Sequence, residues 1–176
     1  MSKMVVFPGQ GAMPDCMREL DVRGLRNAVL SAAQSKPFLG ICIGLQMLFA
    51  NSAEGNTSCL NVLSGPVVRF AHDLHDVQGN RLKVPHMGWN QVHQSGAESS
   101  AHPMWQGIAQ DERFYFVHSF YVQPSDANLV QAVCNYPEPF VCAVARANLF
   151  AVQFHPEKSH TAGLQLLKNF VHWNPV

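Results

Sequence analysis

The most constraining feature of this chain is the run Pro37-Phe38-Leu39-Gly40-Ile41-Cys42-Ile43-Gly44-Leu45-Gln46-Met47-Leu48-Phe49. In it an apolar strand passes directly into an apolar helix. A strand without polar alternation is covered on both faces, so layers of structure are required on either side of it. One cysteine sits at the turn, with a glycine two residues before it and another two residues after. A cysteine that merely fills a tight helix–strand contact is a small hydrophobe and needs no such neighbours. A nucleophile on a sharp turn does, because the flanking positions crowd against backbone.

The rest of the chain fits around that run. Met4-Val5-Val6-Phe7 is a short β-prone stretch stopped by the turn cluster Pro8-Gly9-Gln10-Gly11. Pro14-Asp15 opens a helix running to about residue 34, with Met17, Leu20, Leu25, Val29 and Leu30 as its apolar positions and Gly24 as its break. Leu45, Leu48 and Phe49 have helical spacing, and residues 51–61 read as a polar loop. Beyond them the runs 67–70, 114–118, 129–135, 140–145 and 149–154 are strand-like. Residues 101–106 suggest one short helix anchored by Trp105. A last helix starts at Ser159, with Leu164, Leu167, Phe170 and Val171 as its expected core stripe. Early alternation of helix and strand followed by many strands predicts a single α/β domain, residues 1–176, with a mixed sheet.

Composition narrows the function. Twelve basic and twelve acidic residues give a formal net charge of +0, which disfavours nucleic acid or an anionic membrane as the main partner. No apolar run approaches the roughly 18 residues of a spanning helix, and the N-terminus lacks a signal-peptide pattern. The five cysteines are odd in number and form no CxxC pair, so reduced thiols and a cytoplasmic setting are expected. His72-Asp73-Leu74-His75-Asp76 reads as a solvated hairpin turn with Gly79-Asn80 rather than a metal site, and no metal is expected. Cys134 and Cys142 lie on neighbouring strand-like runs and read as reduced core thiols.

A nucleophilic thiol needs a base and a group that orients the base. Phe154-His155-Pro156-Glu157 supplies both at a strand end, with Pro156 keeping its neighbours extended. His155 would take the thiol proton and return it to the leaving group, while Glu157 would hold the imidazole tautomer. The helix N-terminus after Cys42 is expected to lower the thiol pKa, and the Ile43 N–H to donate to an oxyanion.

Gly40-Ile41-Cys42-Ile43-Gly44-Leu45-Gln46 together with Gln153-Phe154-His155-Pro156-Glu157 resembles the triad-type, class I glutamine amidotransferases. Pro8-Gly9-Gln10-Gly11, Pro85-His86-Met87-Gly88-Trp89-Asn90, Tyr115-Phe116-Val117-His118-Ser119-Phe120 and His155-Pro156-Glu157-Lys158-Ser159 narrow the likeness further. They look like the glutaminase branch that serves imidazole glycerol phosphate synthesis in histidine biosynthesis. The resemblance implies a flavodoxin-like fold with a mixed, mainly parallel sheet. It implies Cys42, His155 and Glu157 as the catalytic triad. Gln46 and the backbone of His118, Ser119 and Phe120 would bind glutamine, and Gly9, Gln10, Gly11 and Ile43 would form the oxyanion site. Trp89, Asn90, Tyr115 and Lys158 would lie at or near the face toward a (β/α)₈ synthase subunit. No cofactor is implied, and ammonia would pass to the partner under cover.

One departure stands out. Members of that family place a strand, a tight turn and a long helix ahead of Pro-Gly-x-Gly, whereas here Met4-Val5-Val6-Phe7 is already the strand entering it. The difference is on the order of 30–40 residues, from the size of a βαβ unit. It predicts uncovered apolar surface, reduced stability and a route to self-association. Three alternatives stand beside the main reading. They are a glutaminase for anthranilate or aminodeoxychorismate synthesis, a stand-alone γ-glutamyl hydrolase, and a non-catalytic synthase-binding remnant.

Overall fold

In the computed structural model, residues 3–95 and 102–175 are described. The chain opens with β1 (Val5–Phe7), α1 (Met13–Val22), α2 (Arg26–Ser35), β2 (Phe38–Ile41) and α3 (Ile43–Met47). Short strands follow: β3 (Asn51–Ser52), β4 (Thr57–Ser58), β5 (Pro66–Arg69), β6 (His86–Gln91) and β7 (His93–Gln94). The second half holds β8 (Arg113–His118), β9 (Phe120–Val122), β10 (Val130–Asn135), β11 (Pro139–Arg146), β12 (Leu149–Val152) and α4 (His160–His172).

The main sheet runs β1-β2-β12-β11-β9-β5-β3-β4, with β10 on β11 and β7 on β10; β6 and β8 form a separate pair. β2 is fully buried and alternates as its composition requires. Leu39 and Ile41 enter one core with Phe150, Val152, Phe154 and Trp105, while Phe38 enters the other with Leu45, Leu48 and Phe49. β12 does the same, sending Phe150 and Val152 one way and Leu149 and Ala151 the other. The site-bearing strands are therefore held from both sides.

The mixed sheet is as expected, but its balance is not. Parallel pairing is confined to β1–β2–β12 and β3–β5, and the other ladders are antiparallel. The reason is connection length: β10, β11 and β12 follow one another through turns too short for a crossover, which imposes antiparallel neighbours. β1 pairs with β2 alone among the described residues, and Val6 is 47% exposed on that edge.

The predicted long helix is two helices. Gly24 at φ 67° ends α1, with its N–H on the Asp21 carbonyl. The stretch read as loop at 51–61 contains β3, a 3₁₀ turn at Glu54–Asn56 and β4. Trp105 anchors a 3₁₀ turn, Pro103–Trp105, and Ala101 of that predicted helix lies outside the described residues. The hairpin reading holds at His75↔Arg81, with the Asp76 carboxylate accepting from the Gln78 and Asn80 N–H groups. Cys134 and Cys142 lie on adjacent strands as free thiols.

The core stripe of the last helix needs correction. Gly163, Leu166 and Phe170 are buried, whereas Leu164 is 65% and Val171 59% exposed. Gly163 decides the rotation. A Cβ there would stand 1.9 Å from the Pro156 carbonyl oxygen, so the helix approaches on that face and carries Leu164 outward.

Candidate active site

Cys42 caps the end of β2 at φ 55° and ψ −114°, outside the basins that non-glycine residues favour. Its N–H reaches the Val152 carbonyl at 2.8 Å, and its own carbonyl accepts from Leu45 at 3.0 Å. The two flanking glycines are demanded by close approach. A Cβ on Gly40 would stand 2.9 Å from that of Ala151, and one on Gly44 would stand 1.9 Å from the Phe7 carbonyl oxygen. The turn is thus clamped between β1 and β12.

Burial pushes the Cys42 thiol up to about 11. The Ile43 N–H and the Gln153 amide, 3.8 Å from the sulfur, work against that, with help from Lys158, while Glu157 adds to it. The expected lowering by the helix N-terminus is overturned. The Ile43 N–H at the start of α3 does pull the thiol down, but the lost solvation of a buried thiolate outweighs it.

His155 follows the end of β12, the strand beside β2, with its N–H on the Tyr115 carbonyl at 2.9 Å. Its own carbonyl accepts from Ser159 Oγ, which in turn accepts from the Tyr115 N–H. The ring Nδ1 pairs with Glu157 Oε1 at 2.7 Å. Nε2 is buried and has no hydrogen-bond partner among the described residues. An imidazole with a carboxylate on one nitrogen and nothing on the other is arranged to exchange a proton at the free nitrogen.

Two cavities flank the elbow. One, of about 200 Å³, is lined by Gly11, Cys42, Ile43, Gln46, Glu54, His118, Ser119 and Phe120, among others. The other, of about 320 Å³, is lined by Pro8, Gly9, Gln10, Ile41, His155, Glu157 and Lys158. The catalytic and substrate residues expected from sequence are all drawn into these two spaces. Gln46 is buried and spends both amide hydrogens, on the Phe120 carbonyl at 3.0 Å and on Gln153 Oε1 at 2.9 Å. Its oxygen is left as an acceptor.

His118 is not a second base. Its Nδ1 faces the Phe120 carbonyl at 2.8 Å and so carries the proton, leaving Nε2 to accept from His86 Nδ1 at 3.0 Å. Burial pushes His118 down to about 3 and His86 to about 4, so both stay neutral in the wall.

The model of the family described as "Glutamine amidotransferase class-I" matches residues 1–173. The chain belongs to the class I glutamine amidotransferase family.

Among curated members, the chain is 63% identical over 172 residues to "Imidazole glycerol phosphate synthase subunit HisH" of Thiobacillus denitrificans. That match covers 97% of this chain and 74% of the relative. It is 62% identical to the protein of the same name from Dechloromonas aromatica, covering 99% and 79%. Among solved structures, the fold is similar to "Crystal structure of glutamine amidotransferase", at TM-score 0.66, 16% identity, and 96% and 79% coverage. It is also similar to a glutamine amidotransferase from Thermotoga maritima, at TM-score 0.57, 18% identity, and 97% and 61% coverage. These amidotransferases share the α/β fold seen here.

Of the residues expected on the docking face, three come together. The Trp89 ring lies 6.1 Å from Tyr115, and Lys158 Nζ stands 6.0 Å over that ring. Asn90 does not join them. It is the next residue on β6, so its side chain leaves the opposite face, where it bonds the Asn135 carbonyl and His86 Nε2. Two contributors were not assigned from sequence: His86, in the wall, and Gln153. Gln153 lies two residues before His155, just past the end of β12, and that proximity was available from sequence.

Proposed function

We propose that this chain hydrolyses glutamine to glutamate and ammonia at Cys42 and delivers the ammonia to an imidazole glycerol phosphate synthase cyclase subunit. The observation that carries the reading is the cysteine held at positive φ on the elbow after β2, with the His155–Glu157 pair following the end of the neighbouring strand β12. Similarity above 60% to named subunits of that synthase supports this partner over anthranilate or aminodeoxychorismate synthesis.

In the proposed reaction the Cys42 sulfur attacks the side-chain amide carbon of glutamine while His155 Nε2 takes the thiol proton. The negative oxygen that forms is met by the Ile43 N–H and by the Pro8–Gly11 loop. His155 returns the proton to the departing nitrogen, which leaves as ammonia, and a glutamyl thioester remains. His155 then draws a proton from water, hydroxide adds to the thioester, and the returning proton restores the thiol as glutamate leaves. Glu157 holds the imidazole with Nε2 toward the reaction and steadies its charged form. Gln46 offers its oxygen to the α-ammonium of the substrate.

The exposed Trp89–Tyr115–Lys158 cluster is proposed as part of the partner face. Free cysteines fit a cytoplasmic setting, and among the described residues no helix is long and apolar enough to cross a membrane. Glutamate release, measured with and without the cyclase partner and its nucleotide substrate, tests the reading with Cys42→Ala as blank. Strong Cys42-dependent release only in the assembled pair is expected. Release that ignores the partner would favour a stand-alone hydrolase, and none in either mixture would favour a synthase-binding remnant.

A further inference from the structure

Gln153 takes no part in the steps above, yet it is fully enclosed beside them at 0% exposure. Its orientation follows from a chain of fixed partners. The Phe120 carbonyl can only accept, so it draws the nitrogen of Gln46, at 3.0 Å, and the Nδ1–H of His118, at 2.8 Å. The second hydrogen on Gln46 Nε2 then needs an acceptor. Gln153 meets it with Oε1 at 2.9 Å, which leaves its own NH₂ group facing the Cys42 sulfur at 3.8 Å. Turning the Gln153 amide over would set donor against donor in a buried place.

We propose that Gln153 is a positioning residue: one end of its amide holds Gln46 in its substrate-facing orientation, and the other end holds the Cys42 sulfur and favours its thiolate. The inference rests on the glutaminase reading, and Gln153 itself touches no substrate. The charged and titratable groups around the sulfur are His155, Glu157 and Lys158 after β12, and His118 and Glu54 across the cavity. None of them is altered in Gln153→Met, which also adds no charge, so a shift in thiol reactivity in that variant is assignable to the amide.

Two variants separate the two ends. Gln153→Met fills the space with neither donor nor acceptor, and Gln153→Glu keeps an oxygen for Gln46 without the amide hydrogens. Alkylation of Cys42 by iodoacetamide, read at that residue by mass spectrometry from pH 6 to 10, is measured on the isolated chain. Glutamine hydrolysis is measured with the cyclase partner present. In Gln153→Met alkylation at neutral pH is expected to slow about tenfold, the size of one hydrogen bond to a charged acceptor, with the profile moved upward in pH. In Gln153→Glu it slows at least as much, because the new carboxylate adds its own repulsion. KM for glutamine rises in Gln153→Met and returns toward the parent value in Gln153→Glu, while kcat stays low in both. A folded variant that melts like the parent and shows the parent's alkylation profile overturns the inference. If Gln153→Met does not fold, Gln153→Leu, which likewise carries neither amide nor charge, decides by the same criterion. A shifted profile in a chain that never releases glutamate would keep the positioning role and remove the glutaminase reading.

Discussion

The elbow that carries Cys42 and the loop that faces it are built on opposite terms. From Phe38 to Phe49 every residue is buried except the half-buried Cys42, and the turn has no room to move. In the loop, Pro8, Gln10 and Gly11 are exposed, and Gly11 at φ 98° has open space where a Cβ would stand. The loop packs closely on Ile43 at Gly9, where a Cβ would stand 2.3 Å from Ile43 Cγ2, while Gln10 is held by the Cys16 thiol, which donates to its carbonyl at 3.3 Å. The contrast separates two tasks. A nucleophile works best when its position is fixed beforehand, while a loop that supplies an oxyanion donor on demand has to be able to turn. In the proposed glutaminase this would hold the nucleophile in a fixed place while the loop assigned to the oxyanion site can adjust.

The sharpest way to break that contrast is Gly44→Ala. The added carbon would meet backbone at 1.9 Å, so a loss of more than about 3 kcal/mol, enough to leave little folded chain, is expected in thermal melting. A Gly44→Ala protein that melts like the parent would show that the elbow is not clamped.

The next effect concerns reactivity. With Cys42 pushed up to about 11, the thiolate fraction of the isolated chain grows about tenfold per pH unit between 7 and 10. Site-resolved alkylation should climb accordingly without a plateau. A plateau near pH 7 would mean that the elbow lowers the thiol pKa after all.

Stability against acid probes the buried histidines, His86 and His118 in the wall of the site and His102 against Phe150 and Trp173. His86 and His102 are pushed down to about 4 and His118 to about 3 by burial, so the unfolded chain binds protons that the folded chain refuses. Their contribution is complete above about pH 6.5 and is lost progressively as pH falls from there to the folded values. The slope is about 1.4 kcal/mol per pH unit for each histidine. Denaturant melts at pH 7, 6 and 5 measure it, and His118→Asn should flatten the slope. The smallest effect belongs to the loop: Gly11→Ala meets no atom and costs only its positive φ, about 1 kcal/mol. A loss as large as that of Gly44→Ala would erase the distinction between the two walls.

Much of the site was legible before any coordinates. The glycine-flanked cysteine, the His-Pro-Glu run and the Pro-Gly-Gln-Gly turn are local patterns whose residue types follow from the local backbone. The same holds for β2, whose unbroken apolar run permits only a strand covered on both faces, and for the break at Gly24. β6 was missed because His86-Met87-Gly88-Trp89-Asn90-Gln91 shows neither alternation nor an apolar run; its partner β8 makes it a strand. The mainly parallel balance expected of the sheet failed because strand direction is settled by neighbours rather than by composition.

What the sequence determined by itself was therefore the local frame of the proposed chemistry: a cysteine on a sharp turn, a histidine two residues before a carboxylate, and which flanking positions must be glycine. Tertiary structure alone decided how those groups behave. Burial from both sheet faces raises the Cys42 thiol against the pull of a short helix. Close approach at Gly163 turns Leu164 and Val171 outward, despite spacing that suits a core. Gln46 and Gln153, 107 positions apart, meet only because β12 lies beside β2. Solvation, crowding and hydrogen bonding at a point depend on atoms that arrive from distant parts of the chain, and local pattern carries no record of them.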